Sequence, residues 1–118
     1  MKKFMAVYMG SAAALEASEW HGATEARRKE LEAEGIEAWG KWVVAHSESI
    51  IDPGNPLGKT RRISRQGVAD ISNEMTAYTI VQAESHEVAA SIFLGHPHFM
   101  IFPGDSIEVM ECLPMPGN

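Results

Sequence analysis

The chain contains a single cysteine, Cys112, so no internal disulfide can form and apolar burial alone must hold the fold. That usage fits a reducing compartment. Met1, Lys2 and Lys3 run at once into a strand-like stretch at 4–9, without the long apolar run of a secretory leader, so a cytoplasmic location is expected. No run approaches the roughly 20 apolar residues of a membrane span, and no membrane partner is expected. Positive charge is also scarce: ten Lys and Arg stand against sixteen Asp and Glu, a net charge of −6, the wrong sign for a nucleic-acid binder. With no cysteine pair, a structural zinc site is not expected, and no cofactor is implied. What remains is 118 residues, 45% of them hydrophobic, which amounts to one globular domain with one core.

Both alternating sets of the first stretch, Phe4/Ala6/Tyr8 and Met5/Val7/Met9, are apolar, which predicts a strand buried on both faces. In so small an α+β domain helices cover one face of the sheet. The other needs a second copy of the chain, hence an expected homodimer. Ser11 is placed to cap a short helix over 12–16, interrupted at Trp20-His21-Gly22, and Thr24 restarts a helix whose charged stretch 25–34 faces solvent. Ile36, Trp39, Val43, His46 and Ile50 recur at three- and four-residue steps, with Trp42 beside them, and predict an amphipathic helix broken at Gly40. Asp52-Pro53-Gly54-Asn55-Pro56 is a turn cluster. Extended segments are expected at 57–64 and 66–71 around Gly67, and a central strand at 76–82. Ser85 caps a predicted helix over 86–94 with Val88, Ala89, Ile92 and Phe93 on its buried side and Gly95 as its stop. A last strand is expected at 106–112, with no packing pattern in the tail 113–118. The order of elements is the split βαβ of a ferredoxin-like α+β domain, able to pair sheet to sheet as a dimeric α+β barrel.

Three segments carry a resemblance: Ala83-Glu84-Ser85-His86-Glu87, then His96-Pro97-His98-Phe99, then Gly104-Asp105-Ser106-Ile107-Glu108-Val109. Together, over 76–111, they resemble the YCII-related superfamily, which implies a dimeric α+β barrel. Trp39-Gly40-Lys41-Trp42 and Pro56-Leu57-Gly58-Lys59-Thr60 look like the marks of a subgroup. Some members of that superfamily act on small aromatic or lactone-like compounds through a His/Asp pair whose His lies on the first helix. Here that position falls near Thr24, the nearest histidine is His21, and the Asp-Gly-Pro-Phe signature of another branch is absent. Any site therefore has to come from this chain's own residues.

His96, His98 and Asp105 are the sharpest cluster. In an extended segment the two histidines project to one side, and Asp105 can orient an imidazole that moves a proton, His98 being the candidate base. The plainer alternative sets His96 at a helix C-terminus and Asp105 in a turn. A metal held by His96, His98 and a further ligand is a weaker reading. His46, Trp39 and Trp42 are either core or the wall of a cavity that stacks a planar ligand, with Tyr78 of the central strand expected near the same pocket. Lys59, Arg61, Arg62 and Arg65 form the one basic cluster, either an anion clamp or a charge-protected edge strand. Cys112 reads as a small buried apolar residue. The expectation is thus a homodimeric ferredoxin-like α+β barrel taking a small-molecule ligand near Trp39, Trp42, His46, Tyr78 and His96, with His98 and Asp105 as candidate acid-base residues. The alternative is a noncatalytic ligand-binding or structural dimer.

Overall fold

The computed structural model describes residues 1–117; Asn118, the last residue of the predicted tail, lies outside them. β1 (Lys2–Met9) leads through α1 (Ala12–Ala17) and α2 (Glu25–Ala45) to β2 (Ile50–Asp52). A hairpin of β3 (Thr60–Ser64) and β4 (Gly67–Ile71) precedes β5 (Met75–Ala83), α3 (His86–Ser91), α4 (Pro97–Met100) and β6 (Ser106–Glu111). The main sheet is antiparallel in the order β2-β5-β1-β6, so β1 and β5 are central, as a ferredoxin-like α+β fold requires. The split βαβ uses the three-residue β2 as its second strand, an element too short to carry an alternation signal. The predicted extended pair is instead an insertion forming its own two-stranded sheet. Its basic residues therefore do not protect an edge of the main sheet, whose edges are β2 and β6.

Directly opposed residues of an antiparallel pair share a face, which sorts the sheet into two sides. Phe4 opposes Val81, and Tyr8 opposes Ala77 and Ile107. This side lies under the helices, and Phe4, Ala6, Tyr8 and Val81 are fully buried in the core with Trp42, Ala89, Ile92 and Phe93. Burial of each large side chain contributes about 2 kcal/mol. The other side carries Met5 opposite Ile80 and Met110, and Val7 opposite Tyr78 and Glu108. Met5 is 37% and Met110 44% exposed whereas Val7 is only 7% exposed, so among the described residues this apolar face is covered in part and open at Met5 and Met110.

Ser11, Thr24 and Ser85 each accept a backbone N–H three residues on, at Ala14, Arg27 and Val88, and start their helices as expected. α2 runs unbroken through Gly40. The predicted register differs at both ends: Ile36 is 61% exposed, His46 is the C-cap, and Ile50 belongs to β2. The long helix absorbs the charged stretch because Arg27 bridges Glu19 and Glu30, and the loss of one turn's regularity at Gly40 is small against twenty-one residues of hydrogen bonding. α3 ends at Ser91 and turns follow to Gly95, whose φ of 66° suits glycine. Val88 is 48% exposed, and Cys112 is exposed, contrary to the buried positions read for both.

A buried hydrogen-bond chain ties the two central strands to the loop beyond β2. The Thr79 hydroxyl donates to the Pro53 carbonyl at 3.0 Å, which leaves the Tyr8 hydroxyl to donate to Thr79 Oγ1 at 2.7 Å. Burial pushes the Tyr8 hydroxyl up to about 12, keeping it a donor at all ordinary pH. Tyr8→Phe strips Thr79 of its donor, and a loss of about 1–2 kcal/mol in urea unfolding is expected; an unchanged midpoint would show the chain to be energetically idle.

Candidate functional site

The His96-Pro97-His98 segment is not extended. It opens α4, with His96 as N-cap and Pro97 at the first helical position, where its missing N–H costs nothing. His96 Nδ1 accepts the His98 backbone N–H at 2.9 Å, so the neutral ring carries its proton on Nε2. That nitrogen is buried without a polar partner. Around it stand Trp42 and Trp39, edge-to-face with ring centroids at 4.4 and 4.5 Å, and Tyr8 at 5.1 Å. Burial first, then the neighbouring His98 and His46, lower the His96 pKa to about 3, so the imidazole is neutral. Its surroundings make it a cap and a core residue. Among the described residues no group of three or more His, Cys, Asp or Glu side chains is placed to hold a metal ion.

His98 points elsewhere. Its Nε2 lies 2.7 Å from the Met9 carbonyl at the end of β1, a contact in which the ring nitrogen donates. Desolvation lowers its pKa, opposed by backbone groups of Met9 and Ser106 and by the Asp105 charge, and the ring is neutral at pH 7. The expected orienting group is thus replaced: the Met9 carbonyl holds His98, while Asp105 is exposed and acts on it through charge alone. Asp105 fixes the loop by its backbone, donating its N–H to Met9 O at 2.9 Å. Gly104 packs flat on the His98 ring, and a Cβ there would collide with the imidazole and the His98 carbonyl.

Beside His98 lies a cavity of about 520 Å³, open on one side to solvent. Trp39 and Ile36 of α2, Phe102 and Pro103 of the α4–β6 loop, the 53–56 turn and the start of β5 enclose it. Phe102 reaches this position because Gly35 leaves no Cβ in its way, and it stacks on Trp20, whose indole N–H donates to the Ile101 carbonyl. Gly54, at φ 76°, presses against the Tyr78 carbonyl, so the 53–56 turn closes tightly on β5. The volume falls within the range of small-molecule sites.

The sequence-predicted residues thus divide. Trp39, Tyr78 and His98 line the cavity. Trp42 is in the core, its indole N–H bonded to the Ile92 carbonyl; His46 caps α2 with Nδ1 at the Trp42 carbonyl; and His96 is enclosed by rings. The rest of the lining, Ile36, Phe102, Asn55 and Thr76 among it, was not assigned to a site from sequence. Phe102 sits in a turn motif, Phe-Pro-Gly-Asp, whose only sequence signal is the turn itself.

No protein-family model and no curated protein sequence matches the chain. Among solved structures it is similar to 5-chloro-2-hydroxyhydroquinone dehydrochlorinase (TftG) from Burkholderia phenoliruptrix AC1100, determined in complex with 2,5-dihydroxybenzoquinone. The TM-score is 0.56 at 14% identity, over 98% of each chain. This establishes a shared ferredoxin-like α+β barrel fold. Among the described residues no helix is long and apolar enough to cross a membrane.

Two neutral buried histidines link stability to pH. In the unfolded chain each binds a proton below the usual 6.5, whereas folded His96 resists until about 3 and folded His98 is shifted the same way. Stability is therefore full above pH 6.5 and falls as pH drops toward 3, at up to ~1.4 kcal/mol per pH unit for each imidazole. Urea midpoints from pH 8 to 4 test this, together with the ring resonances. A His96 imidazole titrating near 6.5 in the folded protein contradicts it.

Proposed function

We propose that this chain is a YCII-related barrel protein that binds a small planar, hydroxylated aromatic or quinonoid molecule in the cavity beside His98. The cavity itself carries the reading: about 520 Å³ walled by Trp39, Phe102, Ile36 and prolines, with a single imidazole set into it. Flat aromatic walls favour a flat ligand, and a few polar side chains, His98 among them, fix its orientation. The similar fold of a dehydrochlorinase bound to 2,5-dihydroxybenzoquinone supports that ligand class. Neutral His98 receives a hydrogen bond from a ligand hydroxyl or takes its proton, with the exposed Asp105 charge favouring the protonated ring. Catalysis is the second reading, favoured by the depressed pKa of an imidazole at a cavity wall; binding alone needs nothing further.

Titration with 2,5-dihydroxybenzoquinone, followed by tryptophan fluorescence and calorimetry, is expected to give one site per chain. Gly40 borders the cavity and has open space where its Cβ would be, so Gly40→Leu fills the mouth without strain inside the fold. Both Gly40→Leu and His98→Asn are expected to weaken binding about tenfold or more. Saturable binding unaffected by Gly40→Leu, or none at millimolar ligand with a panel of hydroxylated aromatics, removes the reading.

The same reading includes a homodimer formed through the open sheet face. Met5, Ile80 and Met110 give that face its open apolar surface, and a second copy turned by a two-fold axis buries it against itself. Sedimentation is expected to report twice the chain mass, and Met5→Glu to shift the equilibrium toward monomer. A wild-type monomer at micromolar concentration overturns the dimer.

A further inference from the structure

Among the described residues the β3–β4 hairpin packs on no other strand or helix of its own chain beyond marginal contact. Every residue from 61 to 70 is exposed, including Ile63 at 76% and Val68 at 65%, which oppose each other and form an apolar step on one face. A lone two-stranded hairpin is marginal in water, and its apolar face needs cover to be held in one place. The hairpin leaves the body at Pro56 and returns at Thr76, both on the rim of the cavity.

Its charge sets it apart from the body. Lys59, Arg61, Arg62 and Arg65 against Asp70 give the segment 57–71 a net charge of +3, so the rest of a chain of net −6 carries −9. A basic arm on an acidic body finds its complement on another copy of that body. On α2, Glu32, Ile36, Gly40 and Val44 follow at four-residue steps along one ridge. Ile36 is 61% and Val44 75% exposed, Gly40 opens a notch between them, and Glu32 has no ion pair among the described residues. This ridge borders the cavity mouth through Ile36 and Gly40. From Ile36 to Val44 the helix rises about 12 Å, against about 13 Å from Thr60 to Ser64 along β3.

We propose that the hairpin of each copy docks on the α2 ridge of a second copy, seating Ile63 and Val68 on Ile36, Gly40 and Val44 with Arg65 toward Glu32, and so closes the partner's cavity. Each site is then incomplete without the other chain. The proposal rests on the two-copy assembly inferred above and adds the arm, its receptor and its role as the cavity's cover. Arg61, drawn to Asp70 at 3.4 Å across the hairpin, stays on the arm, so Arg65 supplies the charge that is free to cross.

Full-length Ile63→Cys/Gly40→Cys, with the exposed Cys112 replaced by Ser, is oxidised and analysed under non-reducing denaturing conditions beside both single variants, and the unoxidised protein is sedimented. Expected is a covalent dimer, absent from the single variants, whose cross-linked peptides contain positions 40 and 63 of different chains. A disulfide within one chain overturns the proposal and makes the hairpin a lid on its own cavity. Sedimentation as a dimer without the 40–63 cross-link overturns the arm while leaving the sheet-face dimer intact. Sedimentation as a monomer overturns both.

Discussion

One uncharged imidazole in a box of aromatic rings organises this fold. His96 is fully buried among Trp39, Trp42 and Tyr8, and these rings come from α2 and β1, while His96 itself begins α4. A charged imidazole could not be held there, because nothing in the box compensates the charge. Remaining neutral, the ring has one free lone pair, and that lone pair caps the helix bearing His98. The constraint therefore passes from core packing to the site: aromatic packing fixes His96, His96 fixes the start of α4, and α4 presents His98 to the Met9 carbonyl and the cavity. His96, read from sequence as a ligand contact, is the residue that places His98.

Two close approaches complete the wall. Gly104 lies against the His98 ring and Gly35 lies against the Phe102 ring, and in both places a methyl group would occupy the position of the aromatic side chain. The α4–β6 loop is thereby pressed onto α2 and onto the end of β1 at once, with Trp20 stacked behind Phe102. Shape in this cavity comes from glycine and aromatic rings, and the polar content is small, so in the proposed reading ring stacking outweighs charge in recognition. This is also why the basic cluster, remote on its hairpin, has no direct part in the cavity of its own chain.

Local chemistry explains what could be read from the sequence. Ser11, Thr24 and Ser85 announce their helices because a cap is a contact between residues three apart, and β1 and β5 show because a central strand is an unbroken run of apolar, β-branched and aromatic residues. β2 was hidden: three residues support no period, and Ile50 fell in step with the preceding helix by coincidence of spacing. The histidine segment failed for a related reason. Two histidines around a proline look extended, since Pro97 disfavours helix for its predecessor, yet that same restriction suits an N-cap, and the chain used it to begin a helix. Of the site, Trp39, Tyr78 and His98 could be named from type and period. Phe102 could not, because its place depends on a missing Cβ sixty-seven residues away.

The two apolar surfaces left over are of different kinds and call for different covers. The sheet face is flat and broad, centred on Met5 and Met110, and lies opposite the helices, so its natural complement is an identical flat face. The α2 ridge is narrow, convex and notched at Gly40, and lies on the helical side, where a second flat sheet could not reach it. A projecting hairpin can, because its strand carries the apolar step beyond the body on a stem of fixed pairing. In the proposed assembly the four cations on that one projecting element complement an acidic body, and sheet face, arm and cavity mouth form one continuous problem of burial for two copies to solve.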